Sequence, residues 1–360
     1  MNMETTLEIK TLPAVALHTD AAGLLARVET AISAVTRRSR IPILEYLLIE
    51  QDATGYRVTG TDLEFAIQAG TIGEVTARTC YAARELRDAL KVAKKHAVSL
   101  VDGKMTTPLG ETTINTMSTE SYPTIPSIEA NATVVSFPEF RDALKYVAPC
   151  VSDEEARFTL NGALVDVPNG CIVATDGHRL GRRRVAMEGG TAFKIHRKTA
   201  AALVKSKYNG VCYIGHNDDH TAYLVGDVVY LERKLKGNFP EYERVIPKAF
   251  DYRMTFDLAS LRAAMAAIKP ALDVRSKAMR INSVFGAVTL TASTGNSTAH
   301  VKATVDADIV NLVISWQYVM DALVTETGET VELRFSADNK GDVKQATLWG
   351  GDTVIMPMRA

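Results

Sequence analysis

Ile172-Val173-Ala174-Thr175-Asp176-Gly177-His178-Arg179-Leu180 is the stretch on which the reading turns. Its β-branched start is a strand. Asp176-Gly177 is a turn signal, and His178 and Arg179 stand where the turn ends. Upstream, Phe158 through Val167 reads as the partner strand of a hairpin. The same pattern occurs twice more. Leu47-Leu48-Ile49-Glu50 leads to Tyr56 through Leu63, and Met279-Arg280-Ile281-Asn282 leads to Val288 through Thr294. Thr61, Thr175 and Ser293 recur at a period of roughly 115 residues, which marks an internal repeat.

A helix precedes each hairpin. Leu24, Leu25, Val28, Ile32 and Val35 follow the capping pair Thr19-Asp20 at helical spacing. Phe140, Leu144, Val147 and Ala148 follow Ser136, and Leu261, Met265 and Ile268 follow Asp257. Each third carries a second helix, at Ala83 to Ala97, His196 to Lys205, and Trp316 to Thr325. Short alternating strands follow, at Val98 to Val101, Thr221 to Val225, and Val331 to Phe335. The fold class is therefore α+β, three tandem units, each a pseudo-duplicated helix-plus-antiparallel-sheet. Pro-containing polar segments, Ser121 to Ser127 and Gly237 to Pro247, join them.

At 360 residues, two or three domains with full cores are expected. The formal charge of -1 argues against holding nucleic acid by bulk charge, so any such contact must come from local placement. The four cysteines, Cys80, Cys150, Cys171 and Cys212, form no CxxC pair and read as buried free thiols of a reducing compartment. Met1 through Thr6 lacks the basic and apolar regions of a signal peptide, and no apolar run reaches the ~18 residues of a membrane span. A cytoplasmic protein is expected. The sequons at Asn131 and Asn296 then read as accidental.

Charge is placed on the helices. Arg84, Arg87, Lys91, Lys94 and Lys95 share one helical face opposite Leu86, Leu90, Ala93 and Ala97, with Asp88 intruding. Arg141 and Lys145 lie one turn apart, Arg197, Lys198 and Lys205 decorate a fourth helix, and the first ends in Arg37-Arg38-Ser39-Arg40. One such helix is an ordinary solvated face. Four in a chain of net charge -1 point to a shared basic surface that meets phosphates without reading bases.

The Ile172–Leu180 hairpin, Ile41-Pro42-Ile43-Leu44, Gly237 through Pro247 and Met356-Pro357-Met358-Arg359 together resemble, in order and over nearly the whole chain, the bacterial sliding clamps, the β subunit of DNA polymerase III holoenzyme. The resemblance implies three clamp domains, at 1–126, 127–247 and 248–360, forming half of a ring. Two chains would close head to tail around double-stranded DNA, held without sequence preference. It implies DNA contacts from Arg37, Arg38, Arg87, Arg141, Lys145, Arg197, Lys198 and Lys205. It also implies a partner-peptide pocket between the second and third domains. The matching residues are Leu160, Thr175, Gly177, His178, Arg179, Leu180, Pro240, Arg244, Val245, Tyr318, Val354, Met356, Pro357 and Met358, with Arg359 beside them. The partners implied are a replicative DNA polymerase, an ATP-driven clamp loader and other proteins with clamp-binding motifs; no cofactor and no metal are implied. Met356 and Met358 around Pro357 suit an adaptable apolar floor, with Arg179, Arg244 and Arg359 at the rim. On their own, His178 reads as a structural turn residue and the terminal Met-Pro-Met as a frayed tail.

The chain departs from the family pattern at Ala360, commonly Leu, and at Ser276, often aromatic. At the expected ring interface it has Ile268-Lys269-Pro270 and Thr112-Thr113-Ile114. An enzyme is the rival class. Asp176 and His178 are two residues apart on a turn, with no GxSxG elbow, HExxH, GxxxxGK or GxGxxG motif to support them. His216 and His220 beside Asp218 and Asp219 read as a solvated turn. A non-ring clamp-fold interaction scaffold is the second alternative, motivated by the polar interface positions.

Overall fold

The computed structural model describes residues 16–52, 55–71, 75, 78–129 and 132–358. The chain forms two compact units, residues 16–132 with 210–233, and residues 133–209 with 234–358.

In the first unit, α1 (Ala21–Ala31) and α2 (Ala83–Ala93) pack together. Their apolar faces, Leu24, Leu25, Val28, Leu86 and Leu90, are buried with Leu17, Leu47, Val58 and Leu100. Asp20 caps α1 as its sequence position predicts, accepting from Gly23 N at 2.7 Å. One antiparallel sheet runs Ala16–Asp20, Ala97–Val101, Lys104–Thr107, Gly110–Thr113. Phe65–Thr71 pairs on one side with Gly55–Thr61 and on the other with Val228–Arg233.

The second unit carries α3 (Phe137–Val147), α4 (Arg197–Lys205), α5 (Leu258–Ile268) and α6 (Trp316–Leu323). Its nine-stranded antiparallel sheet places Cys171–Thr175, Arg179–Arg184 and Thr353–Ile355 side by side. A second sheet is built from Thr298–Val301, Ala287–Ala292, Ala278–Val284 and Ile309–Ser315. Leu261, Met265, Ile281, Leu312, Leu333 and Trp349 fill the core between these elements, and the Phe256 and Trp349 rings stack at 5.9 Å.

The repeat extends to hydrogen bonds. Thr175 Oγ1 donates to Arg179 O and accepts from Gly177 N, and Asp176 Oδ1 accepts from His178 N and Arg179 N. Thr61 does the same with Phe65 O and Leu63 N, and Asp62 Oδ1 accepts from Glu64 N and Phe65 N. Both turns enter the left-handed region at their third residue, Gly177 at φ 88° and Leu63 at φ 79°.

Several boundaries differ from expectation. Phe158, Thr159 and Leu160 belong to a 3-10 segment, Glu155–Leu160, and the strand starts only at Gly162. Gly162 is where the backbone closes on its neighbour, since a Cβ there would lie 2.3 Å from Ile195 O. The first helix ends at Ala31, and Val35 is extended. α2 ends at Ala93, because Ala97 starts the strand that pairs with Ala16–Asp20. α6 ends at Leu323 rather than Thr325. Ser136 stands at the α3 cap position without a side-chain capping bond.

Candidate functional site

The Thr175–Leu180 turn is rigid because its polar side chains are used on its own backbone. Asp176 also gives its carbonyl to Arg157 Nη1 at 2.8 Å. A Cβ on Gly177 would meet that same Nη1 at 2.8 Å, so close approach and positive φ both require glycine. The turn leaves Gly177 and His178 exposed, and the His178 ring makes no hydrogen bond with the described residues.

Arg179 is not a rim residue. Its side chain is 9% exposed. It donates to Asp176 Oδ2 at 3.0 Å, to Asp321 Oδ2 at 2.5 Å and to Pro149 O, and its guanidinium lies 4.2 Å from the Tyr318 ring centre. Burial works against its charge. The Asp321 hydrogen bond and the surrounding charges outweigh that, and its pKa stands above the ordinary arginine value. The neighbouring Cys150 thiol is pushed by burial up to about 12 and is inert.

Strand register sets the floor. Leu180 pairs with Val354 and both are buried, alongside Cys171, Val173, Leu348 and Tyr242. Phe239, Ile246 and Phe250 of the 234–250 segment pack on this cluster. Tyr242 is anchored by its hydroxyl, which donates to Asp166 Oδ2 at 2.8 Å. The tail is not frayed, since Met356 N donates to His178 O at 3.0 Å and Met358 N to Val313 O at 2.8 Å. Met356 and Val245 remain exposed, at 45% and 54%, while Pro357, Met358 and Tyr318 are half-buried. Leu160 is buried, and Pro240 and Arg244 are exposed, Arg244 pairing with Glu241 at 2.5 Å. Arg359 and Ala360 lie outside the described residues. Ser276 Oγ accepts from Ala278 N at 3.4 Å within the turn braced by Asp273.

No family model matches the chain. A β sliding clamp of Pseudomonas putida is 25% identical over 364 residues, covering 94% of this chain and 98% of its own. That of Caulobacter vibrioides is 25% identical over 377 residues, covering 95% and 99%. Among solved structures, the sliding clamp of Bartonella birtlesii bound to griselimycin aligns at a TM-score of 0.88 and 19% identity, covering 96% of this chain and 100% of that one. This chain is a homologue of the bacterial β sliding clamps. The DNA polymerase III β subunit of Thermotoga maritima has the same clamp fold, at a TM-score of 0.84, 18% identity and coverage of 96% and 100%.

The basic residues stand in different settings, and Arg37 and Arg38 lie beyond the first helix rather than at its end, because the chain leaves helical geometry at Val35. Arg37, Arg38, Lys145 and Lys205 are exposed and pair with no carboxylate among the described residues. Arg87 pairs with Asp88 at 2.7 Å, Arg197 with Asp153, and Lys91 with Glu29 at 3.7 Å. Lys94 and Lys95 lie in the turn after α2 and not on its face. Arg141 bonds Ser206 O at 3.2 Å and Tyr208 O at 3.4 Å, so its guanidinium ties α3 to the end of α4. Lys198 is exposed on the first turn of α4. All four cysteines are free and buried. Among the described residues no set of three His, Cys, Asp or Glu could hold a metal, and Asn217 braces the turn carrying Asp219 and His220.

Proposed function

We propose that this chain is a DNA sliding clamp, a non-catalytic processivity factor that needs no cofactor. Two copies close head to tail around duplex DNA, each contributing three clamp domains, 1–126, 127–247 and 248–360. The peptide pocket tethers a replicative polymerase, a clamp loader and other partners in the cytoplasm. The observation that carries this reading is the register of Arg179–Arg184 on Thr353–Ile355. It seats an anchored, partly exposed Met-Pro-Met beside a rigid turn and over a closed apolar floor. An apolar side chain of a partner peptide finds there both a surface to bury and an adaptable thioether lining.

The exposed edge at Gly110–Thr113 supports the ring. All four residues are exposed, and the strand borders a groove of about 530 Å³ lined by Val92, Met105 and Leu109. Val92 and Leu109 are 77% and 63% exposed. An open strand edge with apolar neighbours is suited to pairing with another chain. The interface is therefore less polar than Thr112 and Thr113 suggest. Ile114 and Ile268 are not available to it, being 1% and 0% exposed in their own cores.

Light-scattering mass over a concentration series tests the ring. A mass near twice the 39.1 kDa chain that persists on dilution supports it. A monomer at every concentration that also fails to stay on nicked circular DNA favours the scaffold reading, which rests on exposed Thr112 and Thr113.

A further inference from the structure

The strands Ala278–Val284 and Ala287–Ala292 are joined by a turn of two residues, Phe285 and Gly286. Val284 pairs with Ala287 across the turn, and both turn residues have positive φ, 46° and 84°. A two-residue turn of this kind is suited to Asn-Gly. Phe285 is a poor choice for it, because a bulky side chain is strained in the left-handed region. The same side chain is 82% exposed. Turn geometry and solvation both disfavour phenylalanine there, so folding does not account for it.

Phe285 does not stand alone. On its other side Val284 pairs with Ile309, and these two are 54% and 47% exposed. Cross-strand partners point to one face, so exposed Ala287, Val284 and Ile309 form an apolar row that ends the sheet next to Phe285. A Cβ on Gly286 would meet nothing within 4 Å, so the tip is open. Val284 lies about 20 Å along its strand from Ala278, which pairs with Ser315, the cap of α6. The patch is therefore separate from the peptide pocket.

The surrounding charge selects the occupant. Phe285 N donates to Asp308 O at 2.8 Å. Asp306 and Asp308 are exposed and pair with no cation among the described residues. Gly341 meets Ile309, since a Cβ there would lie 2.6 Å from Ile309 O. Beside Gly341 stand Asp338 and Asp342 against Lys340 and Lys344. Lys344 is already engaged by Asp338 at 2.6 Å and Asp342 at 3.6 Å. Acid outweighs base around the apolar row. Such a border repels duplex DNA and anionic membranes. A protein segment carrying Lys or Arg beside apolar residues matches both parts.

We propose that Val284, Phe285 and Ile309 form a docking surface for a basic, amphipathic segment of a protein partner, distinct from the peptide pocket. The Phe285 ring is the anchor that loses water on docking, and the carboxylates around it select and orient the basic side chains. The surface depends on neither the pocket nor the ring.

The test uses the full chain carrying Met356→Glu, which closes the pocket to apolar peptides. The probe is a labelled amphipathic peptide with leucines on one helical face and lysines on the other. At low salt, adding Phe285→Asn weakens its binding about tenfold. Asp306→Asn/Asp308→Asn weakens it less, and that loss shrinks as salt rises. Phe285→Asn restores the favoured turn dipeptide, so its thermal midpoint stands at or above that of the chain without it. A lowered midpoint overturns the proposal by making Phe285 a structural residue. Unchanged affinity in Phe285→Asn overturns it too, as does failure of the lysine peptide to bind or equal binding of a peptide with glutamates in place of the lysines. A solution mass that falls in Phe285→Asn overturns it in favour of a second copy of this chain.

Discussion

Arg179 and Asp321 join across 142 residues, with Nη1 donating to Oδ2 at 2.5 Å. The bond ties the Thr175–Leu180 turn to α6, so the turn and that helix hold one geometry. The pair is nearly enclosed, at 9% and 19% side-chain exposure. Removing one partner strands the other charge. Arg179→Ala is expected to cost about 3 kcal/mol in chemical denaturation. Arg179→Lys should recover little, because one ammonium cannot reach Asp176, Asp321 and Pro149 O together. Near-parent stability of Arg179→Ala would show that the pair is dispensable.

The paired turns at Leu63 and Gly177 predict opposite tolerances. Gly177→Leu forces a side chain into the left-handed region and onto Arg157, and should cost at least about 2 kcal/mol. Leu63→Gly relieves that strain and adds unfolded-state entropy, leaving stability within about 1 kcal/mol of the parent. Denaturant midpoints of the two variants check this. Equal losses would mean that the turns are not equivalent.

Met356 reaches solvent while its backbone is held by His178. Met356→Glu should therefore weaken binding of an apolar partner peptide by tenfold or more and leave the mass in solution unchanged. Deleting residues 356–360 should abolish binding. Calorimetric titration reads both, and parent-like affinity in either would remove the pocket assignment.

Arg38 is exposed, with no carboxylate beside it among the described residues. Arg38→Glu should shorten retention on nicked circular DNA, more strongly at low salt, with stability changed by less than about 0.5 kcal/mol. Arg141→Ala should do the reverse, destabilising through the lost bonds to Ser206 and Tyr208. Retention of Arg38→Glu equal to the parent would exclude that residue from DNA contact.

Most of the fold was legible in the residues themselves. The strand hairpins follow from period-2 alternation, and the helices from apolar positions recurring every three to four residues. The Asp20 and Asp257 caps lie where their side chains can reach free helix N–H groups. Local physics writes such features into a few adjacent positions. The Thr175-Asp176-Gly177 turn is of the same kind, since its acceptors and donors lie within four residues of each other.

Tertiary structure alone decided what lies around that turn. Arg179 looked like a rim cation because nothing near it in sequence announces Asp321, Pro149 or Tyr318. Phe158–Leu160 looked like a strand because its alternation is right, yet the chain tightens into a 3-10 turn there. The Met356 and Met358 backbones are fixed by carbonyls at His178 and Val313, far away in the chain. Sequence by itself determined the elements, the repeat and the turn, because those depend on short-range geometry. Which arginines are buried struts and which remain free for a partner depends on desolvation and pairing between distant segments, which exist only once the sheet has closed.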